Sequence, residues 1–143
     1  MKDDESPNAE TWEPRPVPDV TPETEPFWTA AAEGKLRLGH CPECGLTFFY
    51  PRAHCPDCLA EAETVPSSGA GRIYSYSLPN QVSGWPEEHL PLVVAYVALE
   101  EGPRLVTNIV DCEPEEVRIG REVKVDFVPV EEDDIAIPVF RLD

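Results

Sequence analysis

The sequence predicts a mainly β protein in which a short N-terminal helix and a four-cysteine zinc ribbon precede five strands. Three observations predict it. The segment HCPEC at His40 to Cys44 recurs fourteen residues later as HCPDC at His54 to Cys58. Five runs rich in Val, Ile, Tyr and Phe then follow, separated by glycine, proline or acidic clusters and with no long helical pattern between them. Ahead of the ribbon, a single stretch carries helix start and stop signals.

That stretch begins at Thr24, placed to cap a helix, with Pro26 tolerated in the first turn, where amides lack intrahelical acceptors. Phe27, Ala30 and Ala31 share one face at helical spacing, and Gly34 suits the terminus, so a helix is expected over about 25–33. The strand runs are Gly71 to Leu78, Leu92 to Leu99, Arg104 to Val110, Glu122 to Val130 and Val139 to Leu142. Short strands without intervening helices predict a small antiparallel barrel or sandwich. Glu101-Gly102 reads as a hairpin turn and Gly120 as a second turn. Residues 1–20 hold Pro7, Pro14, Pro16 and Pro18 among acidic and small polar residues, a composition that buries too little apolar area to offset chain entropy. They read as a flexible tail, in which Trp12 is the one anchor a partner would hold. The expected organisation is therefore a tail over 1–20, helix plus ribbon over 21–67, and the strands over 68–143.

Composition narrows the function classes. Twenty-eight acidic residues against 11 basic ones give a formal net charge of -17 over 143 residues. A surface of that sign repels phosphates, so general nucleic-acid binding is disfavoured. No run approaches the roughly 18 apolar residues of a membrane span. Residues 1–26 also lack the basic and apolar regions of a secretory leader, and a cytoplasmic protein is expected.

Each C-x-x-C places two thiolates on one tight turn. The ten residues between Cys44 and Cys55 let the second turn fold back, so that Cys41, Cys44, Cys55 and Cys58 meet around one tetrahedral ion. Four sulfurs suit zinc, although iron as in rubredoxin satisfies the same geometry. With every ligand place filled by cysteine, no position is left for substrate or activated water, and the ion is structural. Pro42 and Pro56 preset the turns and Gly45 supplies freedom after the first; Leu59 stands in its place in the second, which is expected to be looser or of another form. His40 and His54 flank ligands as exposed or second-layer groups. Between the turns, Thr47 to Tyr50 (TFFY) forms a hairpin with an aromatic face, and Phe48 or Tyr50 is expected to pack the ribbon on the barrel.

No active site of the chain's own is legible: there is no nucleophile elbow, no glycine-rich phosphate loop and no open metal position. Cys112 reads as a small buried residue, His89 as a solvated loop histidine and Glu131 to Asp134 as a solvated acidic loop.

Phe27-Trp28, Glu33-Gly34-Lys35-Leu36, the ribbon, the strand Gly71-Arg72-Ile73-Tyr74-Ser75-Tyr76 and the hairpin LVVAYVALEEG (Leu92 to Gly102) together resemble a known family. It is that of the thiolase-associated proteins joining a rubredoxin-like zinc ribbon to an OB-fold and binding acyl-CoA, long catalogued as a domain of unknown function. The resemblance covers about 26–142. It implies that the strand module is a five-stranded OB-fold barrel and that the chain is an accessory subunit of a hetero-oligomer. The partner it implies is a thiolase-fold large subunit, namely an acyl-CoA thiolase, a 3-hydroxy-3-methylglutaryl-CoA synthase, or a lipid-transfer-type aldolase acting on steroid side-chain CoA thioesters. A hot-dog-fold hydratase is another implied associate. The OB module would line a channel for the CoA moiety.

CoA phosphates require local cations on an acidic protein, and Arg52, Arg72 and Arg104, at the ribbon or at strand beginnings, are the candidates. Trp85, in the long loop Pro79 to Pro91, is a candidate cover for a ligand or partner. Two readings of another class stand beside this one. An OB module can hold single-stranded nucleic acid, and an iron-loaded ribbon would be a rubredoxin-like electron carrier.

Overall fold

A computed structural model describes residues 18–82, 87, 90–129 and 135–143. Trp12, Trp85, His89 and Glu131 to Asp134 lie outside the described residues. The described residues form one helix, α1 (Glu25–Ala32), and eight strands: β1 (Arg37–His40), β2 (Thr47–Phe48), β3 (Glu63–Pro66), β4 (Ala70–Ser77), β5 (Val94–Leu99), β6 (Arg104–Val110), β7 (Glu122–Pro129) and β8 (Ala136–Leu142). A single 3-10 turn, Pro114–Glu116, lies between β6 and β7. Among the described residues, no helix is long and apolar enough to cross a membrane.

The helix starts one step earlier in its hydrogen bonding than the sequence suggests. Thr24 makes no capping bond from its side chain in the forward direction. Instead Thr21 and Thr24 cap each other, the Thr21 amide donating to Thr24 Oγ1 (3.0 Å) and the Thr24 amide to Thr21 Oγ1 (3.3 Å). The Glu25 amide already donates to the Thr21 carbonyl at 2.8 Å. Pro22 therefore occupies the first-turn place where a missing N–H costs nothing. At the other end Gly34, with φ +81°, lets its own amide reach the Ala31 carbonyl and that of Lys35 reach the Ala30 carbonyl, both at 2.9 Å. This double bond pattern terminates the helix as the glycine predicts.

The small sheet has the order β2-β1-β3, antiparallel throughout. The five remaining strands close into a barrel in the order β4-β5-β6-β8-β7, with β7 returning to β4. All neighbours are antiparallel except β6 and β8, which run parallel through Ile109–Phe140 and Val110–Arg141. An antiparallel barrel was the expectation, and the difference is geometric. Strand directions cannot alternate all the way round a closed ring with an odd number of members, so one parallel pair is obligatory. The last strand also begins earlier than the run Val139 to Leu142, because β8 pairs with β7 from Pro129–Ala136 to Val123–Leu142. Pro138 is tolerated within it, since β8 meets β6 only at Phe140 and Arg141, and its carbonyl still accepts the Thr107 hydroxyl at 3.3 Å.

Ribbon and barrel share one core. Phe27 from α1 and Leu36 and Leu38 from β1 and its approach are buried in the same cluster as Ile73, Val97, Leu105, Val123 and Phe140 of the barrel. The helix packs against β7, β8 and β1. A second tie is polar. At the tip of the β5–β6 hairpin, where Gly102 has φ +116°, Glu101 accepts the Ser68 amide (2.7 Å) and the Ser67 hydroxyl (2.9 Å). Glu100 accepts the Ser68 hydroxyl at 3.0 Å. Both carboxylates thus hold the segment that leads from ribbon to barrel.

Two predictions follow from these ties. Phe27 is 2% exposed and touches both halves, so Phe27→Ala should cost about 3–5 kcal/mol in denaturant unfolding. Tyr50→Ala, at a residue 59% exposed, should cost well under that, about 0.5 kcal/mol or less. Burial acts to raise the Glu101 carboxyl, but the Ser68 amide and Ser67 hydroxyl outweigh it and hold the group below its ordinary value of 4.5. Its stabilisation is complete above that value and is lost as pH falls through the lower folded value. Glu101→Gln should therefore melt below the wild type at pH 7, with the gap closing at strongly acidic pH.

Candidate metal centre and flanking surfaces

The two cysteine turns are near copies in space as in sequence. In the first, the Cys41 amide donates to the Leu46 carbonyl and the Gly45 amide to the Cys41 carbonyl, both at 2.8 Å. In the second, the Cys55 amide donates to the Ala60 carbonyl (2.8 Å) and the Leu59 amide to the Cys55 carbonyl (3.0 Å). Gly45 has φ +81° and Leu59 φ +70°. The second turn is thus neither looser nor different in form, contrary to the expectation from Leu59. The same pair of backbone bonds forces the left-handed conformation on a leucine, at a cost of roughly 1–2 kcal/mol.

The four sulfurs lie within 4.8 Å of one another. Cys41 and Cys58 Sγ are 3.5 Å apart and Cys44 and Cys55 Sγ 3.7 Å apart. Sulfurs at the vertices of a zinc tetrahedron, about 2.3 Å from the metal, stand about 3.8 Å apart, so the set fits one such ion. Amides of Cys44 and Cys58 point at Cys41 and Cys55 Sγ, each at 3.4 Å, and the Asp57 amide reaches Cys55 Sγ at 3.3 Å. Cys41 and Cys55 are fully buried, while Cys44 and Cys58 are exposed. Without a cation the thiols cannot all ionise together. The Cys58 amide, with help from Asp57, overcomes burial and draws Cys55 down to about 7. For Cys44 the Leu46 backbone pulls downward, but burial and the other three thiols prevail and push it up to about 12. A divalent cation at the centre removes that conflict. Among the described residues this quartet is the one cluster of metal-ligating side chains.

The neighbouring histidines are not ligands in this geometry. His40 Nδ1 lies 3.1 Å from the Thr47 hydroxyl, and the sulfur cluster includes neither imidazole; the backbone of His54 pairs with that of Glu61. The aromatic hairpin is divided differently from the expectation that Phe48 or Tyr50 packs on the barrel. Phe48 is buried over Gly39, where a Cβ would stand 2.2 Å from its ring. Phe49 instead joins the shared core, its ring 5.5 Å from that of Phe27, and Tyr50 stacks outside it with centroids 4.0 Å apart. Strand β2 ends at Phe48, which turns Phe49 away from the ribbon sheet and toward α1.

The three candidate arginines have separate settings. Arg52 borders a cleft of about 420 Å³ formed by Glu23, Phe49, Tyr50, Pro51 and Pro56. Glu23 there accepts the Ala53 amide at 2.7 Å. Arg72 is paired with Glu122 at 3.0 Å and donates to the Gly120 carbonyl at 3.2 Å. Arg104 lies over the Tyr74 ring, 3.9 Å from its centroid. The structure therefore does not bring them to one site. Cys112 packs against the core, and burial, followed by Glu116 and Glu113, raises its thiol, which leaves it a poor nucleophile. Sequence reasoning passed over Arg141, which bridges Asp126 of β7 (2.5 Å) and Asp111 after β6. Asp111 takes φ 57°, and only the parallel placement of β8 beside β6 brings the three together.

A four-thiolate ribbon packed on a closed five-stranded barrel defines a ribbon-and-OB-fold protein. Residues 28–64 match the family model of the ChsH2 rubredoxin-like zinc ribbon domain, and residues 64–128 that of the ChsH2 C-terminal OB-fold domain. A DUF35 domain-containing scaffold protein of Methanothermobacter thermautotrophicus is 43% identical over 65% of this chain and 71% of its own. The chain belongs to this DUF35 family of zinc-ribbon and OB-fold proteins. A probable enoyl-CoA hydratase alpha subunit of Thermomonospora curvata is 34% identical over 89% of this chain, which spans only 40% of that longer protein. The benzoylsuccinyl-CoA thiolase subunit BbsA of Thauera aromatica is 28% identical over 88% of both chains. Among solved structures, a chain of the Ltp2-ChsH2(DUF35) aldolase superposes with a TM-score of 0.74 at 32% identity, covering 87% of this chain and 98% of that one.

Proposed function

We propose that the chain is a non-catalytic accessory subunit, one that binds acyl-CoA jointly with a thiolase-fold or lipid-transfer-type aldolase large subunit. The observation that carries this reading is the likeness, over 98% of that chain's length, to a chain of the Ltp2-ChsH2(DUF35) aldolase. The similarity to a thiolase subunit over 88% of each chain points to the same class of assembly. A family of scaffold proteins that recurs as subunits of CoA-thioester enzymes supplies the precedent for an appended ribbon and barrel.

In this reading zinc occupies Cys41, Cys44, Cys55 and Cys58 and does no chemistry, because a closed thiolate set leaves no place for substrate. Its contribution is to fix the ribbon and hence the cleft beside Tyr50 and Arg52. Of the three arginines, Arg52 is the best placed for a CoA phosphate: its guanidinium has no ion pair among the described residues and borders an aromatic cleft. Arg72 is already neutralised by Glu122. A reducing cytoplasm would keep the four thiols available to the metal.

The test is co-expression with a thiolase-fold or lipid-transfer-type aldolase large subunit from the same genome, taken from the neighbouring genes where one is encoded there. The pair should co-elute, and the complex should carry one zinc per copy of this chain and no iron. Failure of the pair to associate, with full activity in the large subunit alone, would end the accessory-subunit reading. Iron in a coloured, redox-active ribbon would favour an electron carrier.

A further inference from the structure

We propose that the outward face of β4, β5 and β6 is a docking surface for the large subunit, met there by apolar side chains and a carboxylate. The inference rests on the accessory-subunit reading and adds where the contact is made. An antiparallel barrel wall facing water is expected to alternate apolar inward with polar outward. Here the outward positions break that rule. Tyr96 and Val106 are directly paired across β5 and β6, and Ala98 is paired with Arg104. A register shift between Ile73 and Ser75 makes Tyr74 an extra residue opposite Tyr96. Its ring meets that of Tyr96 edge-on at 6.0 Å, and Arg104 lies on its other side at 3.9 Å. Val106 is 63% exposed, Tyr74 48% and Tyr96 38%, in the middle of regular strands. Preformed Tyr and Arg groups of this kind are what interface centres are enriched in.

Charge decides the kind of occupant. The chain carries 28 acidic residues, yet the outward positions of these three strands hold Arg72 and Arg104 and no carboxylate. The acidic groups stand at its edge: Glu100 and Glu101 hold Ser67 and Ser68, Glu122 pairs with Arg72, and Asp143 lines a cleft with Arg72 and Ala98. One guanidinium, that of Arg104, is left without a carboxylate partner among the described residues. A single uncompensated cation on this face, in a chain of net charge -17, is too little for a phosphate backbone, which needs several. A second copy would set Arg104 against Arg104 and two strongly acidic bodies side by side. A different protein offering a carboxylate amid apolar side chains satisfies both requirements.

The experiment measures affinity between the full chain and the same large subunit by titration calorimetry. Val106→Glu and Arg104→Glu should each weaken the complex about tenfold or more, with melting temperature and zinc content unchanged. Val20→Glu, at an apolar residue exposed ahead of α1, a helix that packs on β1, β7 and β8, should bind within about twofold of wild type. If the wild-type pair associates but Val106→Glu and Arg104→Glu bind equally well, this face is not the interface, and the accessory-subunit reading stands. Equal weakening by Val20→Glu would overturn the inference too, because the loss would then follow charge and not position. So would a homodimer of the chain, or binding of a labelled single-stranded oligonucleotide, that Val106→Glu abolishes. No association by the wild type would overturn the accessory-subunit reading itself.

Discussion

Four sulfurs held within 4.8 Å are a charge problem before they are a binding site, and one divalent cation at their centre would solve it. The ribbon's strands are four, two and four residues long, too short to hold together through their own ladders. What sets their register is the pair of cysteine turns, each closed by two backbone hydrogen bonds and each aimed inward by amides that point at sulfur. Even the strained backbone of Leu59 is tolerated to keep the second turn congruent with the first.

From that knot the order of the molecule spreads outward through a few contacts. The first strand of the ribbon carries Leu38 into the barrel's core, and the helix brings Phe27 to the same place. Phe49, leaving the short second strand, seals the junction against Phe27. On the polar side, the hairpin carboxylates of Glu100 and Glu101 grip the serines that connect the halves. The barrel's five strands close through their own ladders, and most of the shared core comes from them. A cation held by the four cysteines would therefore act first on the ribbon and the surfaces beside it.

How much of this was legible depends on the range of the interaction. The cysteine quartet, Gly34 and the Glu101-Gly102 turn were readable because their geometry is set by residues within one turn. The strand runs were readable from periodicity and composition, apart from β8, where Pro138 hid three residues that a one-sided ladder tolerates. The choice of Phe49 over Phe48 or Tyr50 was not readable, because it depends on where β2 ends and on Gly39 leaving room for the Phe48 ring. Nor were the Arg141 bridge and the Tyr74–Tyr96–Arg104 stack. Both join strands far apart in sequence, one through the parallel pair that ring closure imposes and the other through a bulge that no local signal marked.

Hydrogen exchange on the zinc-loaded protein, before and after chelation, tests the central claim, that a metal orders the ribbon while the barrel's ladders hold without it. Removing the ion should strip protection from the amides of Cys41, Gly45, Cys55 and Leu59, and leave those of Val97, Leu105 and Val125 protected. Loss of protection in barrel and ribbon together, or retention in both, would contradict it.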